Sequence, residues 1–425
     1  MTNAHNSLSS EATVRHEKEI DMKTACPVCE SINVDEFLRR DSVPVHQNLL
    51  LRTPEAARKL NAGRLSMMAC RDCSFVFNRS FNPDLLSYGE DYDNSQSFSP
   101  AFVDHLNSLV HRLVEQNGVS NCTIVEVGCG KGDFLNRLTG PAEFRNRGYG
   151  FDPAYVGPDV TNEGRTEFHR AFYSEESSKI PADVVVSRHV IEHVPEPRML
   201  LKSIRAALAS SPDARVFFET PCVEWILRNQ VAWDFFYEHC SLFTAPSLAW
   251  LFEETGFRVK TVDHVFGGQY LWLEAVLATE VPAARTFSGR PTFAGMPSLT
   301  INRGMQYGTT EVQRNQNWTQ QVRRLTQQGP VALWGAGGKG VTFANLLDVD
   351  STLFSFVVDT NPGKQGCFLP GTGHRIVGPE ELIKHNVRSV IVLNPNYCEE
   401  IRKTLMSFPV SIAVVDLTQE GNMAA

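Results

Sequence analysis

Among the 425 residues there is no run of about 18 apolar side chains, the length a membrane-crossing helix needs. The first 20 residues, MTNAHNSLSSEATVRHEKEI, hold no apolar stretch ahead of a cleavage site. They read as a flexible leader, and a cytoplasmic location is the expectation. Dense Lys/Arg runs are missing as well, and the formal net charge is -8. The basic stripe of a nucleic-acid binder is therefore absent, whereas a small anionic substrate needs only a few local cations. Ten cysteines are too sparse for a disulfide scaffold. What is present, 42% hydrophobic and 21% charged residues, suffices for real cores. At roughly 100–200 residues per domain the length allows about two to four domains.

Four of the ten cysteines form two pairs, Cys26-Pro-Val-Cys29 and Cys70-Arg-Asp-Cys73. Each pair fits a tight knuckle that aims two thiolates at one ion, and together they make a four-sulfur tetrahedral site suited to Zn2+. With every position filled by sulfur, the expected role is structural, in a module of residues 23–85 after a leader of 1–22. The bland alternative is two chance pairs of free thiols.

Residues 86–282 read as an α/β unit. Thr123-Ile-Val-Glu-Val-Gly-Cys-Gly-Lys-Gly-Asp-Phe134 is a buried strand, a glycine turn and a helix start. Gly148–Asp152, Asp183–Arg188 and Val216–Thr220 are further strands, with helical stretches such as Phe102–Gln116 and Arg198–Ala209 around them. Such alternation predicts a doubly wound parallel sheet. Phe257–Phe266 and Tyr270–Ala278, joined across Gly267-Gly268, predict a hairpin that adds an antiparallel edge. Residues 283–309 read as a linker, and a polar helix is expected over about Thr310–Gln328. Within 310–425, Val331–Gly340, Phe354–Asp359, Val387–Leu393 and Val410–Leu417 predict a second, smaller Rossmann-like domain.

The first loop, Gly128-x-Gly130-x-Gly132, has Glu126 upstream, and Asp152 ends the next strand where an acid accepts ribose hydroxyls. With Asp183 and the terminal hairpin, this spelling resembles the S-adenosyl-L-methionine (SAM) loop of class I methyltransferases. Nearly the whole chain after the leader resembles one family, the sugar C-methyltransferases that act on nucleotide-linked 4-keto-6-deoxy sugars. The residues carrying this resemblance are the four cysteines, Val43-Pro-Val-His-Gln-Asn48, the SAM loop, Tyr237-Glu-His239 and Gly335-Ala-Gly-Gly-Lys-Gly340. Val358–Gly366 and Leu369–Thr372 complete the set. The resemblance implies a zinc module, a class I SAM domain with an antiparallel edge strand, and a C-terminal Rossmann-like domain on the substrate side. It implies natural-product chemistry on a small molecule, with no nucleic-acid or membrane partner.

Methylating carbon requires a proton to leave the position beside a ketone, and His is the best base near neutral pH. The resemblance implies His239 as that base, with Glu238 assisting and Tyr237 as a further candidate. The family's tyrosine lies three residues before its histidine; here that position is Phe236, and the phenol comes one residue later. On a strand the shift would turn the ring to the other face; on a loop it need not. The cofactor set is Glu126, Gly128, Gly130, Gly132, Asp152 and Asp183, with His189 a candidate for the methionine part; His193 is read as packed. The second loop, Gly335-x-Gly337-x-x-Gly340 followed by Asp359, has by pattern the form of an NAD fingerprint. The resemblance instead implies a cradle for a nucleotide-sugar substrate, with Lys339, Lys364 and Arg375 as phosphate partners. A purely structural domain ranks next and NAD binding last. Methylation of oxygen, nitrogen or a non-sugar carbon, or a non-catalytic binding protein, are the alternatives for the whole chain.

Overall fold

The computed structural model describes residues 25–278, except 88, 90, 175, 177 and 178, together with residues 296–420. The expected leader and residues 283–295 of the expected linker lie outside them. No helix among the described residues is long and apolar enough to cross a membrane.

The N-terminal module is an antiparallel sheet of β1 (Val34–Pro44), β2 (Ala62–Cys70) and β3 (Val76–Asn78). Both cysteine knuckles sit at one end, where Cys70 closes β2 beside the start of β1 at Val34. The strands that follow are β4 (Thr123–Val127), β5 (Arg147–Phe151), β6 (Val160–Thr161), β7 (Thr166–His169), β8 (Val184–Arg188) and β9 (Arg215–Pro221). Next comes β10 (Ser241–Leu242), which leaves this group and pairs with β3 of the module. The module boundary near residue 85 is therefore bridged by a shared sheet. The hairpin appears as β11 (Phe257–Val265) and β12 (Tyr270–Leu277), paired antiparallel, with β12 antiparallel to β9. The large sheet runs β11-β12-β9-β8-β4-β5-β7-β6. Its centre is parallel, and β6 adds a second antiparallel edge that the sequence pattern does not reveal. Val184, Val185 and Val186 of β8 are all fully buried. That is why β8 reads as an unbroken apolar run: helices or loops cover both faces of a parallel sheet. The helix Pro197–Ala207 covers part of one face with Leu201, Ile204 and Ala207, spaced three residues apart along one helical stripe.

The C-terminal sheet is fully parallel, in the order β15-β14-β13-β16-β17. Its strands are β13 (Val331–Trp334), β14 (Val357–Val358), β15 (Ile376–Val377), β16 (Ser389–Val392) and β17 (Ala413–Asp416). The helix before it spans Met296–Gln328, so residues 296–309, expected as linker, are helical. This helix lies directly on β1. A Cβ on Gly308 would stand 1.6 Å from the Phe37 carbonyl oxygen, and one on Gly304 3.1 Å from the Phe37 ring. Only glycine permits that approach. Tyr307 then meets the rings of Phe37 and Phe235 edge-on.

A buried ion pair locks this junction. Arg40 on β1 donates to Glu311 at 2.6 Å and to the carbonyls of Phe235 (2.7 Å) and Ala232 (2.9 Å). Arg40→Met should destabilise the protein by about 3–5 kcal/mol, because it strands a buried carboxylate. The double variant Arg40→Met/Glu311→Leu should recover most of that loss in denaturant titration. A single variant as stable as wild type would show that the pair carries no weight.

Candidate active site

The four knuckle cysteines converge. Cys26 and Cys73 sulfurs are 3.6 Å apart, Cys29 and Cys70 3.5 Å, and all four lie within 4.8 Å of one another, none in a disulfide. Zinc–sulfur bonds of about 2.3 Å put tetrahedral ligand sulfurs about 3.8 Å apart, so the donor set fits structural zinc. Burial pushes the Cys26 and Cys73 thiols up, while hydrogen bonds from the other three cysteines pull Cys70 well down. Four thiolates this close need a cation to coexist.

The first glycine loop follows β4 at the C-terminal edge of the large sheet. Gly128, Gly130 and Gly132 all have positive φ (73°, 54° and 79°). A Cβ on Gly128 would collide with Val190 and one on Gly132 with Phe168, whereas one on Gly130 would meet nothing within 4 Å. Open space at the loop tip suits a ligand passing close to the backbone. Asp152, at the end of β5, accepts from Gly130 N–H (2.9 Å) and Ala154 N–H (2.8 Å). Burial raises its carboxyl. Glu126 is buried below the loop, accepts from Leu135 N–H at 3.1 Å and is pushed up to about 8 by burial. Asp183 requires correction. It precedes β8 at the N-terminal edge of the sheet, is exposed, and accepts from Thr123 N–H at 2.7 Å. The length of β8 separates it from the glycine loop, so it staples two strand starts and is no cofactor ligand.

A cleft opens where the three parts meet. Its wall draws Asn48 from the module, His189, His193, Phe236 and His239 from the middle part, and Gly335, Lys339, Asp359 and Lys364 from the C-terminal part. His189, just after β8, is held at φ 54°. Its ring lies 3.2 Å from Glu192 and 3.4 Å from Glu219. Burial alone would lower it, but the two carboxylates win and lift it to about 9. His239 goes the other way. Burial first, then the nearby His193, His189 and Lys339, hold it well below 6.5. Its ring stands 3.9 Å from Phe236 and 4.9 Å from His193, centre to centre. His193 thus faces the cleft beside His239 instead of merely packing. Glu238 also borders the cleft, but its carboxylate accepts from Gln47 N–H at 2.9 Å and lies 3.9 Å from His46, so it ties the loop to the module.

Tyr237 is corrected as well. It is fully buried, and its hydroxyl accepts from Asn82 N–H (2.8 Å) and donates to Asn82 O (3.3 Å). The one-residue shift turns the phenol into the module, against Phe81, and leaves Phe236 facing the cleft. Lys339 pairs with Asp234, and Lys364 donates to Asn48 and to Ala336 O, both at 3.2 Å. Arg375 is exposed beside β15, near Glu381 and Lys384, and is not part of the cleft wall. Tyr92 and the strap that follows it line the cleft unannounced by any motif; Tyr92 Oη is 3.4 Å from Asn48 Nδ2.

Comparison with known proteins finds methyltransferase relatives. A methyltransferase domain family matches residues 100–262, and a C-methyltransferase C-terminal domain family matches residues 296–410. The chain is 29% identical over 396 residues to the C-methyltransferase NovU of Streptomyces niveus, covering 88% of this chain and 90% of that protein. Among solved structures, a Burkholderia thailandensis 1,6-didemethyltoxoflavin-N1-methyltransferase is 17% identical, covers 42% of this chain and 81% of its own, and has a TM-score of 0.32. The Synechocystis magnesium protoporphyrin IX methyltransferase has the same TM-score at 16% identity, over 42% of this chain and 84% of its own. Likenesses this distant add nothing to the assignment.

Elemental analysis of protein purified without chelator should find about one zinc per chain, with sulfur-only ligation by X-ray absorption. Cys70→Ser should cost solubility and stability. Zinc-free, fully folded protein would contradict the metal assignment.

Proposed function

We propose that the chain, a SAM-dependent methyltransferase that matches a methyltransferase domain and a C-methyltransferase C-terminal domain, methylates the α-carbon of a ketone on a nucleotide-linked keto-deoxy sugar. The observation that carries the proposal is His239 on the wall of the cleft that the second glycine loop also lines, with burial holding its basicity down. Bound at the first loop, SAM supplies an electrophilic methyl group. Glu126, Gly128, Gly130, Gly132, Asp152 and His189 are the groups assigned to hold it.

His239 accepts the proton from the acceptor carbon. Its lowered basicity keeps the ring unprotonated at neutral pH, which a base requires before it can act. His189 is held in the charged form by Glu192 and Glu219 and keeps its own proton, so the two histidines have separate tasks. Glu238 acts at one remove: it fixes the loop that carries His239 through Gln47. At the second loop, Lys339 and Lys364 offer cations to a pyrophosphate, beside the N-terminus of the helix Gly338–Leu347. Such a site suits the pyrophosphate of a nucleotide sugar. Arg375 and Tyr237 take no part.

One observation keeps a second reading in play. Phe236 presents an apolar ring to His239 where the resembled family has a tyrosine. A non-sugar carbon, oxygen or nitrogen acceptor needs no phenol there. Deuterium uptake from solvent into the acceptor carbon, without methylation, supports carbon acidity; its absence with a true acceptor would favour the second reading.

His239→Asn should lower turnover by about 10²–10⁴ while SAM affinity stays nearly unchanged. Near-wild-type turnover would place the base elsewhere. Tyr237→Phe should keep most activity and lose stability of about 0.5–1.5 kcal/mol, the net worth of its hydrogen bonds. Asp152→Ala should weaken SAM binding by about 1.5–3 kcal/mol. The acid limb of kcat/KM should lie below pH 6.5, because the histidine that must be neutral is depressed from that value. A limb centred above pH 7 would rule out this assignment.

A further inference from the structure

The segment Tyr92–Ser99 lines the cleft as a strap and is tied to the first glycine loop and to Asn361 behind the second. Asp93 is its anchor. Although only 5% exposed, its carboxylate meets Lys131 of the first loop at 2.8 Å, Asn361 Nδ2 behind the second at 3.0 Å, and its own strap at Ser95 N–H, 3.0 Å. Burial would raise this carboxyl, but the Lys131 ammonium and the two other donors hold it below its ordinary value. It therefore stays charged, and each contact is a charge-assisted bond.

The geometry at both ends leaves little slack. Lys131 sits between Gly130 and Gly132, the residues whose backbone approaches the cofactor. One residue beyond that loop, Asp133 accepts from Ser97 of the strap at 3.0 Å. At the other end, a Cβ on Gly363 would stand 3.2 Å from the Asp93 carboxylate. A second path runs through Asn48. Its carbonyl accepts from Asp93 N–H (2.9 Å), and its side chain accepts from Lys364, which also donates to Ala336 O inside the second loop. Asp93 thus joins all three parts of the chain, the middle and C-terminal parts through its carboxylate and the module through its N–H.

We propose that Asp93 is a positioning residue that couples the two loops, so that filling the first loop with cofactor orders the Thr360–Gly366 segment beside the second. The first loop cannot shift around a ligand without moving Lys131, and the buried Asp93 passes that shift to Asn361. Coupling needs a contiguous set of contacts that both sites bias, and this node supplies one. The inference rests on the reading of the first loop as the SAM loop. It does not depend on what the acceptor is.

Hydrogen–deuterium exchange with S-adenosylhomocysteine as the probe tests it. In wild type, the ligand should slow exchange in Val127–Asp133 and also in Thr360–Gly366. In Asp93→Asn the first protection should persist and the second should vanish. Lys131→Met and Asn361→Ala break the two arms singly and carry the test should the first variant fold poorly; both should lose the distal protection. For Asn361→Ala, ligand affinity should change less than about fivefold, the lower edge of ordinary coupling. Protection of Val127–Asp133 alone in wild type would overturn the coupling and leave the cofactor site standing. Equal distal protection in wild type and all three variants would overturn it too. No protection of Val127–Asp133 would overturn the reading of the first loop, and the coupling with it.

Discussion

A buried guanidinium sets the geometry of the candidate active site. Arg40 lies on β1 of the cysteine module, yet most of what it binds belongs elsewhere: Glu311 on the long helix and the carbonyls of Ala232 and Phe235. Those carbonyls sit in the irregular segment that ends in Glu238 and His239. Irregular backbone in a core must find partners for its polar groups, since an unpaired one costs about 1–3 kcal/mol. Here the partners come from the module. Tyr237 anchors to Asn82, Glu238 to Gln47, and β10 pairs with β3 immediately afterwards. Trp233 secures the other end by donating to Leu393 O of the C-terminal domain at 2.9 Å. The segment is thus gripped from both sides, and His239 faces the cleft as a consequence.

This gives the four cysteines a role beyond holding a small sheet together. The cysteine cluster sits at one end of the module's sheet, and sulfur ligation of a metal would add rigidity there. That rigidity would pass to the segment that carries His239 through Arg40, Gln47 and Asn82. The cysteine cluster and the proposed base are thereby joined through one set of contacts. The long helix follows the same logic: Gly304 and Gly308 let it reach β1, and Glu311 then neutralises Arg40.

Much of this was legible in the sequence. Alternating strand and helix patterns located the sheet strands β4, β5, β8, β9, β11 and β12, and the glycine loops fell where a strand meets a helix. The cysteine pairs predicted a convergent cluster. What the sequence hid depends on contacts between distant segments. Asp183 has the right residue type beside the right strand, but type and spacing do not say at which end of the sheet an acid stands. Arg375 follows the cleft-lining Lys364 by eleven residues and is not part of the cleft wall. The strap Tyr92–Ser99 has no periodicity at all, being fixed by Lys131, Asn361 and Glu400. Residues 296–309 look like linker because their helix is polar on most faces, and the glycines that weaken helical propensity are there for packing. Tyr237 lies in a turn, where period two does not apply, and its phenol is directed by the Asn82 backbone that it bonds.

The two glycine loops show why a fingerprint names a backbone before it names a ligand. Asp152 accepts from the Gly130 N–H at 2.9 Å and the Ala154 N–H at 2.8 Å. Asp359 accepts from the Ala336 N–H and the Asn361 N–H, both at 2.8 Å. In each domain an acid ending the second strand closes the loop after the first, and then caps its own turn two residues on. The shared geometry follows from strand–turn–helix packing and would arise whatever is bound. Discrimination has to come from the surroundings. Around the second loop stand Lys339 and Lys364, with Phe236 3.0 Å from where a Cβ on Gly338 would lie. Ring and cations crowd the mouth of that loop on the side facing His239. A group held there would lie beside His239, the proposed base, as the proposed acceptor cradle requires.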